Sequence, residues 1–267
     1  MCRWIAYQGE PTFLDALVAE PTHSLIAKSL CAVEAKVATN GDGFGVGWYG
    51  ERDRPGVYRE VRPAWSDENL HNLCHQVKAS LFFAHVRAST GPAIARANCH
   101  PFTVGRLMFM HNGQIGQFCA IKRRVEAMIP DDLYHHRSGT TDSEALFLAS
   151  FAHGIEADPI GGMAATLNAV RGLMLKAGLR EALRFTACLT DGRDLYAFRW
   201  ASDGRAPTLY WRQANANLIV VSEPLDGDRT QWREVPQGCV LVARNGAPAV
   251  LHGLDGLIAG RDAAKAA

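Results

Sequence analysis

Glycine recurs at every second position through Gly41, Gly43, Gly45 and Gly47, inside the stretch Asn40-Gly41-Asp42-Gly43-Phe44-Gly45-Val46-Gly47-Trp48-Tyr49. Side chains of an extended chain alternate between its two faces, so one face of this segment carries none. Such a face lets a ligand or another backbone approach closely, and a fold that contains the strand must supply that neighbour. A glycine-rich turn running into a strand is the competing account. A phosphate loop is a poor one, because neither G-x-G-x-x-G nor a following G-K-[ST] is present.

The rest of the 267-residue chain suits an ordinary globular domain, with 48% apolar and 21% charged residues. A formal net charge of +1 gives no electrostatic support to nucleic-acid or membrane-surface binding. Seven cysteines, widely spaced and without C-x-x-C, argue against a disulfide framework or a zinc knuckle and for a reducing compartment. No apolar run has the length of a membrane helix and no signal peptide is visible, so the expected location is cytoplasmic. We expect one domain over residues 2–260 and a disordered tail over 261–267.

In chain order, Cys2–Tyr7 reads as a strand, and Thr12–Ala19 and Thr22–Leu30 as helices opened by Thr. Val57–Arg62 is a predicted strand, followed by a helix from Ser66, its expected N-cap, to about Val77. Leu81–Arg87 is a buried strand. Asn98-Cys99-His100-Pro101-Phe102 is irregular, and the strand Leu107–Met110 runs into His111-Asn112-Gly113-Gln114. Residues 117–129 and 142–153 read as amphipathic helices, and Gly162–Ala177 as a third, ended by Gly178. From Phe185 onward the pattern is short strands: Phe185–Leu189, Leu195–Arg199, Thr208–Trp211, Leu218–Ser222, Cys239–Arg244 and Pro248–His252. Asp191-Gly192 and Asn245-Gly246 have hairpin chemistry. Two groups of strands separated by helices give an α+β class with two layers of antiparallel sheet.

Several polar residues sit where strands end. A small residue at position 2 is the usual condition for loss of the initiator Met, which would leave Cys2 with a thiol and a free α-amine on one carbon. The thiol titrates near ~8.5 and the amine near ~7.7–8.0, so the residue can carry a nucleophile and its own base. Arg87 ends a buried strand, and its planar fork suits a carboxylate; a salt bridge to a neighbouring acid is the alternative. Asn112-Gly113 is either a hairpin turn or an oxyanion hole built from a side-chain amide and a glycine N–H. Asp142 sits at an expected N-cap, and capping alone would explain it. His135, His136 and His153 lack a carboxylate or Cys at metal-ligand spacing, so they read as surface or core histidines.

Taken in order, Cys2, the glycine run Gly41–Tyr49, Ala84-His85-Val86-Arg87, Asn98-Cys99-His100-Pro101-Phe102, His111-Asn112-Gly113-Gln114 and Thr141-Asp142-Ser143-Glu144 resemble the class II glutamine amidotransferase domain of the N-terminal-nucleophile hydrolases. The later Ser222-Glu223-Pro224-Leu225 and Trp232–Gly238 resemble stand-alone members, including the γ-glutamyl hydrolases of ergothioneine and glutathione metabolism. The resemblance implies a four-layer αββα sandwich and hydrolysis of a γ-glutamyl amide through a thioester. It implies Cys2 as nucleophile, its α-amine as base, and Asn112 and Gly113 as oxyanion donors. It further implies Arg87 at the substrate α-carboxylate, Asp142 at its α-ammonium, and Thr90 and His100 lining the pocket. No cofactor or metal is implied. The glycine run lacks the family's frequent Arg-Gly-Pro-Asp form.

The substrate implied is glutamine or another small γ-glutamyl compound. A glutaminase subunit that passes ammonia to a separate synthetase partner is an alternative, since only 123 residues follow Asp142-Ser143-Glu144. A catalytically retired γ-glutamyl-binding domain is a second alternative. Neither nucleic acid nor membrane is expected as a partner.

Overall fold

Trp4-Ile5-Ala6-Tyr7 alternates between two different cores, which makes the first strand a partition inside the molecule. Trp4 and Ala6 pack among apolar side chains between two sheets, whereas Ile5 and Tyr7 pack beneath helices. The computed structural model describes residues 2–30, 40–89, 93–244, 247–254 and 256–258. The strands are β1 (Arg3–Phe13), β2 (Phe44–Trp48), β3 (Gly56–Glu60), β4 (Lys78–Val86), β5 (Phe102–Val104), β6 (Leu107–Ile115) and β7 (Leu183–Thr190). They continue as β8 (Leu195–Ala201), β9 (Tyr210–Ala214), β10 (Asn217–Val221), β11 (Arg233–Glu234), β12 (Cys239–Ala243) and β13 (Val250–Gly253). The helices are α1 (Asp15–Val18), α2 (Leu25–Leu30), α3 (Glu68–Gln76), α4 (Phe118–Glu126), α5 (Asp142–Ala149) and α6 (Pro159–Lys176).

One sheet runs β11-β9-β10-β1-β4-β2-β3 and the other β13-β12-β8-β7-β6-β5. Neighbouring strands pair antiparallel throughout both. Val18, Leu25, Ile26, Leu70 and Cys74, from α1–α3, cover the outer face of the first sheet. Ile121, Val125, Leu146, Phe147, Leu167 and Val170, from α4–α6, cover the second. Trp4, Phe83, Met108, Met110, Cys188, Leu218 and Leu241 fill the space between the sheets. The architecture is the αββα sandwich that the sequence led us to expect.

Several local expectations change. Thr12 and Phe13 extend β1 instead of opening a helix, because they pair with Ala79 and Lys78 beyond a register shift. The cap of α3 is Asp67, whose side chain accepts from Leu70 N–H at 2.7 Å; Ser66 ends a preceding 3₁₀ turn. Thr141, not Asp142, caps α5, accepting from Glu144 N–H at 3.2 Å. That helix is not amphipathic: Ser143 to Ala149 are all buried. Gly178 ends α6 in the left-handed region, as expected. At Asp191-Gly192 the Asp191 carboxylate accepts from Arg193 and Asp194 N–H, and Gly192 supplies φ +88°. Asn245-Gly246 and the tail over 261–267 lie outside the described residues.

The glycine run meets a backbone. On β2, Phe44 and Val46 face the helix-side core, leaving Gly45 and Gly47 on the opposite face. A Cβ built on Gly45 would overlap the His100 carbonyl, and one on Gly47 would overlap Met108 Sδ. Gly43 has φ +112° and lies against Cys99 Sγ and the Glu60 carbonyl, so a side chain there would be both strained and crowded. The bare face therefore seats the 99–101 segment.

Candidate active site

The site assembles where β1, β4 and β6 end. Trp4 and Ala6 point between the sheets, and the same alternation brings Cys2 to that side. On the facing sheet Met108 and Met110 point into the same layer, and Asn112 continues their parity. The thiol of Cys2 lies 3.6 Å from the Ala88 carbonyl, in the segment that follows β4. Burial pushes the Cys2 thiol up from its ordinary value, and the charges of Arg87 and Arg3 pull against that rise.

Arg87 follows β4 directly and is only 3% exposed. Its guanidinium donates to the Asp42 carbonyl at 3.3 Å, Ser89 Oγ at 3.1 Å and the Ala93 carbonyl at 3.3 Å. These three acceptors are neutral, and they aim the fork. Asp42 also accepts from Ser89 N–H at 2.7 Å through its carboxylate, which ties the glycine run to the loop after Arg87. Thr90 lies outside the described residues.

His100 is buried, with its ring centroid 4.2 Å from that of His85. Neither ring has a hydrogen-bond partner for either nitrogen among the described residues. Burial pushes His85 down to about 3 and His100 well below the usual histidine range, with nearby Arg87 and the other imidazoles adding to the effect. Both rings are neutral at physiological pH.

Asn112 and Gly113 lie inside β6, paired with Thr186 and Phe185, so the hairpin-turn account of this dipeptide is set aside. Asn112 is buried, only 3% exposed. Gly113 has a packing reason of its own, since a Cβ there would overlap the Arg184 carbonyl and His111 Nε2.

His111 turns the other way, toward α5. Its Nδ1 is 2.8 Å from Ser143 Oγ, and its Nε2 is 3.3 Å from the Arg184 carbonyl. A carbonyl can only accept, which places the proton on Nε2 and leaves Nδ1 to accept from the Ser143 hydroxyl. Asp142 Oδ2 accepts from Ile115 N–H at 2.8 Å, and Oδ1 from Ser143 N–H at 2.8 Å. The carboxylate is therefore anchored two residues beyond Gly113, half-buried, with lone pairs left over.

Two buried clasps hold these pieces together, and the residue-by-residue reading anticipated neither. Asn98 donates to the Ala93 carbonyl at 2.8 Å and accepts from Thr140 N–H at 2.7 Å, joining the segment before His100 to the one before Asp142. Arg137 bridges Glu126 (2.9 Å) and Glu144 (2.5 Å), while Glu144 also accepts from Gly139 N–H at 2.8 Å. The available signal was a Glu buried inside the otherwise apolar α5, which demands a partner.

The structure thus places Cys2 and His100 near Arg87, and Asp142 against the strand that carries Asn112 and Gly113. Among the described residues, no group of three or more His, Cys, Asp or Glu side chains could hold a metal. No helix is long and apolar enough to cross a membrane among those residues.

Comparison with known proteins gives a consistent result. Residues 16–206 match the family described as glutamine amidotransferases class-II. The chain is 32% identical to "Probable glutamine amidotransferase DUG3" of Saccharomyces cerevisiae, covering 91% of this chain and 82% of that protein. It is 26% identical to the γ-glutamyl-hercynylcysteine sulfoxide hydrolase of Mycolicibacterium smegmatis, covering 88% and 92%. Among solved structures, a glutamine aminotransferase class-II domain protein from Silicibacter pomeroyi superposes with a TM-score of 0.75 at 36% identity, covering 95% of this chain and 99% of that one.

Proposed function

The chain belongs to the class II glutamine amidotransferase family of amidohydrolase enzymes, and from that premise we propose that it cleaves a γ-glutamyl amide through a thioester on Cys2. The observation that carries this reading is the arrangement of Cys2 and Asn112. Cys2 Sγ lies 3.6 Å from the Ala88 carbonyl, next to Arg87, and Asn112 lies on β6, whose Ile115 N–H is held by the Asp142 carboxylate.

Removal of Met1 frees the α-amine of Cys2. That amine takes the thiol proton as Sγ attacks the γ-carbonyl carbon. The carbonyl oxygen becomes an oxyanion, met by the Asn112 side-chain amide and the Gly113 N–H. Collapse breaks the C–N bond, and the leaving nitrogen recovers the proton from the α-ammonium. Water then attacks the thioester, with the same amine as base, and releases glutamate and the thiol. Arg87 grips the α-carboxylate and Asp142 the α-ammonium, so the zwitterionic head fixes where the scissile carbonyl sits. We assign His100 to the pocket wall, and no cofactor enters any step.

The relative named as a γ-glutamyl hydrolase supports a γ-glutamyl compound as substrate. The relative named as an amidotransferase supports the second reading, in which ammonia passes to a separate partner. The deciding experiment incubates the purified protein with glutamine and a panel of γ-glutamyl amides, measuring glutamate and the released ammonia or amine. Glutamate with a stoichiometric amine, lost in Cys2→Ala, is the expected result. Turnover that persists in Cys2→Ala would overturn the thioester route. Turnover that appears only on addition of a second protein would favour the ammonia-passing reading.

A further inference from the structure

The motif Ser222-Glu223-Pro224-Leu225, which follows β10, lies against the start of β1 and not in the substrate layer. Ser222 holds both backbone groups of Trp4: its Oγ accepts from Trp4 N–H at 3.0 Å, and its own N–H donates to the Trp4 carbonyl at 3.2 Å. Glu223 forms a buried ion pair with Arg3 and lies 3.6 Å from Lys28 Nζ on α2. Lys28 also donates to the Glu223 carbonyl at 2.9 Å and the Pro224 carbonyl at 2.5 Å. All three charged side chains are less than a tenth exposed. Arg3 then reaches back, its Nη1 donating to the Cys2 carbonyl at 3.0 Å.

A buried pair of cations around one carboxylate is an expensive way to fill space. Apolar side chains of the same volume would stabilise the fold as well or better. What the network supplies is geometry. A residue at a chain terminus has one covalent neighbour, so its peptide plane is held only by whatever grips it. Here the grip is a guanidinium whose other nitrogen is fixed by Glu223, and the Arg fork spans two points that a single ammonium does not. Arg3 lies on the helix side of the sheet with Ile5, so it steers the backbone of Cys2 without entering the layer that the thiol faces. The positive charge of Arg3 also opposes the upward pull of burial on that thiol.

We propose that Glu223 and Arg3 form a positioning clamp for the nucleophile, in which the Ser222-Glu223 segment fixes the direction of the Cys2 thiol through the Cys2 carbonyl. The clamp rests on Cys2 being the nucleophile, and its test separates the two claims. The full chain and its Glu223→Gln variant are assayed for kcat and KM on glutamine. Both are also titrated with a chloroketone built on the glutamine skeleton, which labels a correctly aimed thiol, and circular dichroism melts establish that the variant is folded. Expected is a fall in kcat and in the labelling rate of tenfold or more, the scale of a small misplacement of a reacting group, with KM within about twofold. If Glu223→Gln does not fold, Arg3→Lys carries the same test, since it keeps the charge and loses the second point of contact. A folded variant with kcat and labelling within twofold of the parent, or with a change confined to KM, overturns the clamp. Absence of Cys2 labelling in the parent protein overturns the nucleophile reading and the clamp with it.

Discussion

His111 Nδ1 lies 2.8 Å from Ser143 Oγ, and this one buried contact joins the strand that carries Asn112 and Gly113 to the helix that begins with Asp142. A pocket that must hold a γ-glutamyl head and present its carbonyl needs those two elements in fixed register. The hydrogen bond is buried on the helix side of the sheet.

Removing the hydroxyl should therefore loosen the pocket as well as the fold. Ser143→Ala leaves a buried imidazole nitrogen without its donor, which costs about 1–3 kcal/mol. We expect a lower midpoint in urea unfolding and a raised KM for substrates with a free α-amine, because Asp142 shifts with α5. A variant unchanged in both would show the contact to be incidental.

Processing and nucleophile identity are checked by mass and by mutation. The purified protein should lack Met1 and carry unmodified Cys2 by intact mass. Cys2→Ala should fold normally and turn nothing over, and Cys2→Ser should keep at most a trace, because a hydroxyl ionises far less readily than a thiol. Full activity in a population that retains Met1 would sink the α-amine mechanism.

Asn112 and Arg87 should separate kinetically. The amide of Asn112 is needed most as charge develops on the carbonyl oxygen, so Asn112→Ala should lower kcat by about 10²–10³ with little change in KM. In the proposed assignment Arg87 meets a carboxylate present throughout the reaction. Arg87→Lys should mainly raise KM, and should do so only for substrates bearing that carboxylate. Steady-state kinetics on γ-glutamyl amides with and without the carboxylate decide both assignments.

Gly45→Ala should be among the more damaging substitutions on the first sheet. The new methyl would overlap the His100 carbonyl, a main-chain atom held between Cys99 and Pro101, so relief requires moving backbone. A loss of about 3 kcal/mol or more is expected from overpacking of this kind, measured by chemical unfolding. Near-parental stability would mean that the 99–101 segment shifts freely.

Stability should fall as the solution is acidified below the ordinary histidine range. Burial lowers His85 to about 3 and His100 well below its usual value, so both stay neutral in the folded protein while the unfolded chain protonates them. The unfolded state then binds more protons below about pH 6.5, and the stability from these neutral rings is full above that value and drains as pH drops toward 3. Each ring contributes a slope of up to about 1.4 kcal/mol per pH unit in that window. Urea midpoints from pH 7 to pH 4.5 should decline, and His85→Phe, lacking one of the two rings, should decline less steeply.

Much of this was readable from residue types. The period-two glycines called for a close neighbour, which proved to be the His100 backbone. Roles for Cys2, Arg87, Asn112 and Asp142 were implied by the resemblance of their motifs to the family, since the residues alone left a hairpin, a salt bridge and a cap open. The misplacements have local causes. Asp67 outcompeted Ser66 as a cap because its carboxylate reaches Leu70 N–H, and Thr141 capped α5, which freed Asp142 to take Ile115 N–H from another element. The helix from Asp142 was expected to be amphipathic, yet Glu144 is buried, because Arg137 and the 138–139 backbone close over it.

By itself the sequence determined the alternation that puts Cys2 with Trp4 on one face and Arg3 with Ile5 on the other, since that follows from the two-residue period of an extended chain. It likewise determined the α+β class, through strands grouped on either side of a helical stretch. Only the tertiary structure decided which distant partners those faces meet. Ser222 and Glu223 reach Trp4 and Arg3 because β10 pairs with β1, a pairing that joins residues more than two hundred positions apart. The layer between the two sheets forms because they stack through Trp4, Met108 and Met110. Long-range pairing and stacking depend on how whole surfaces fit together, and no local pattern of residues encodes that fit.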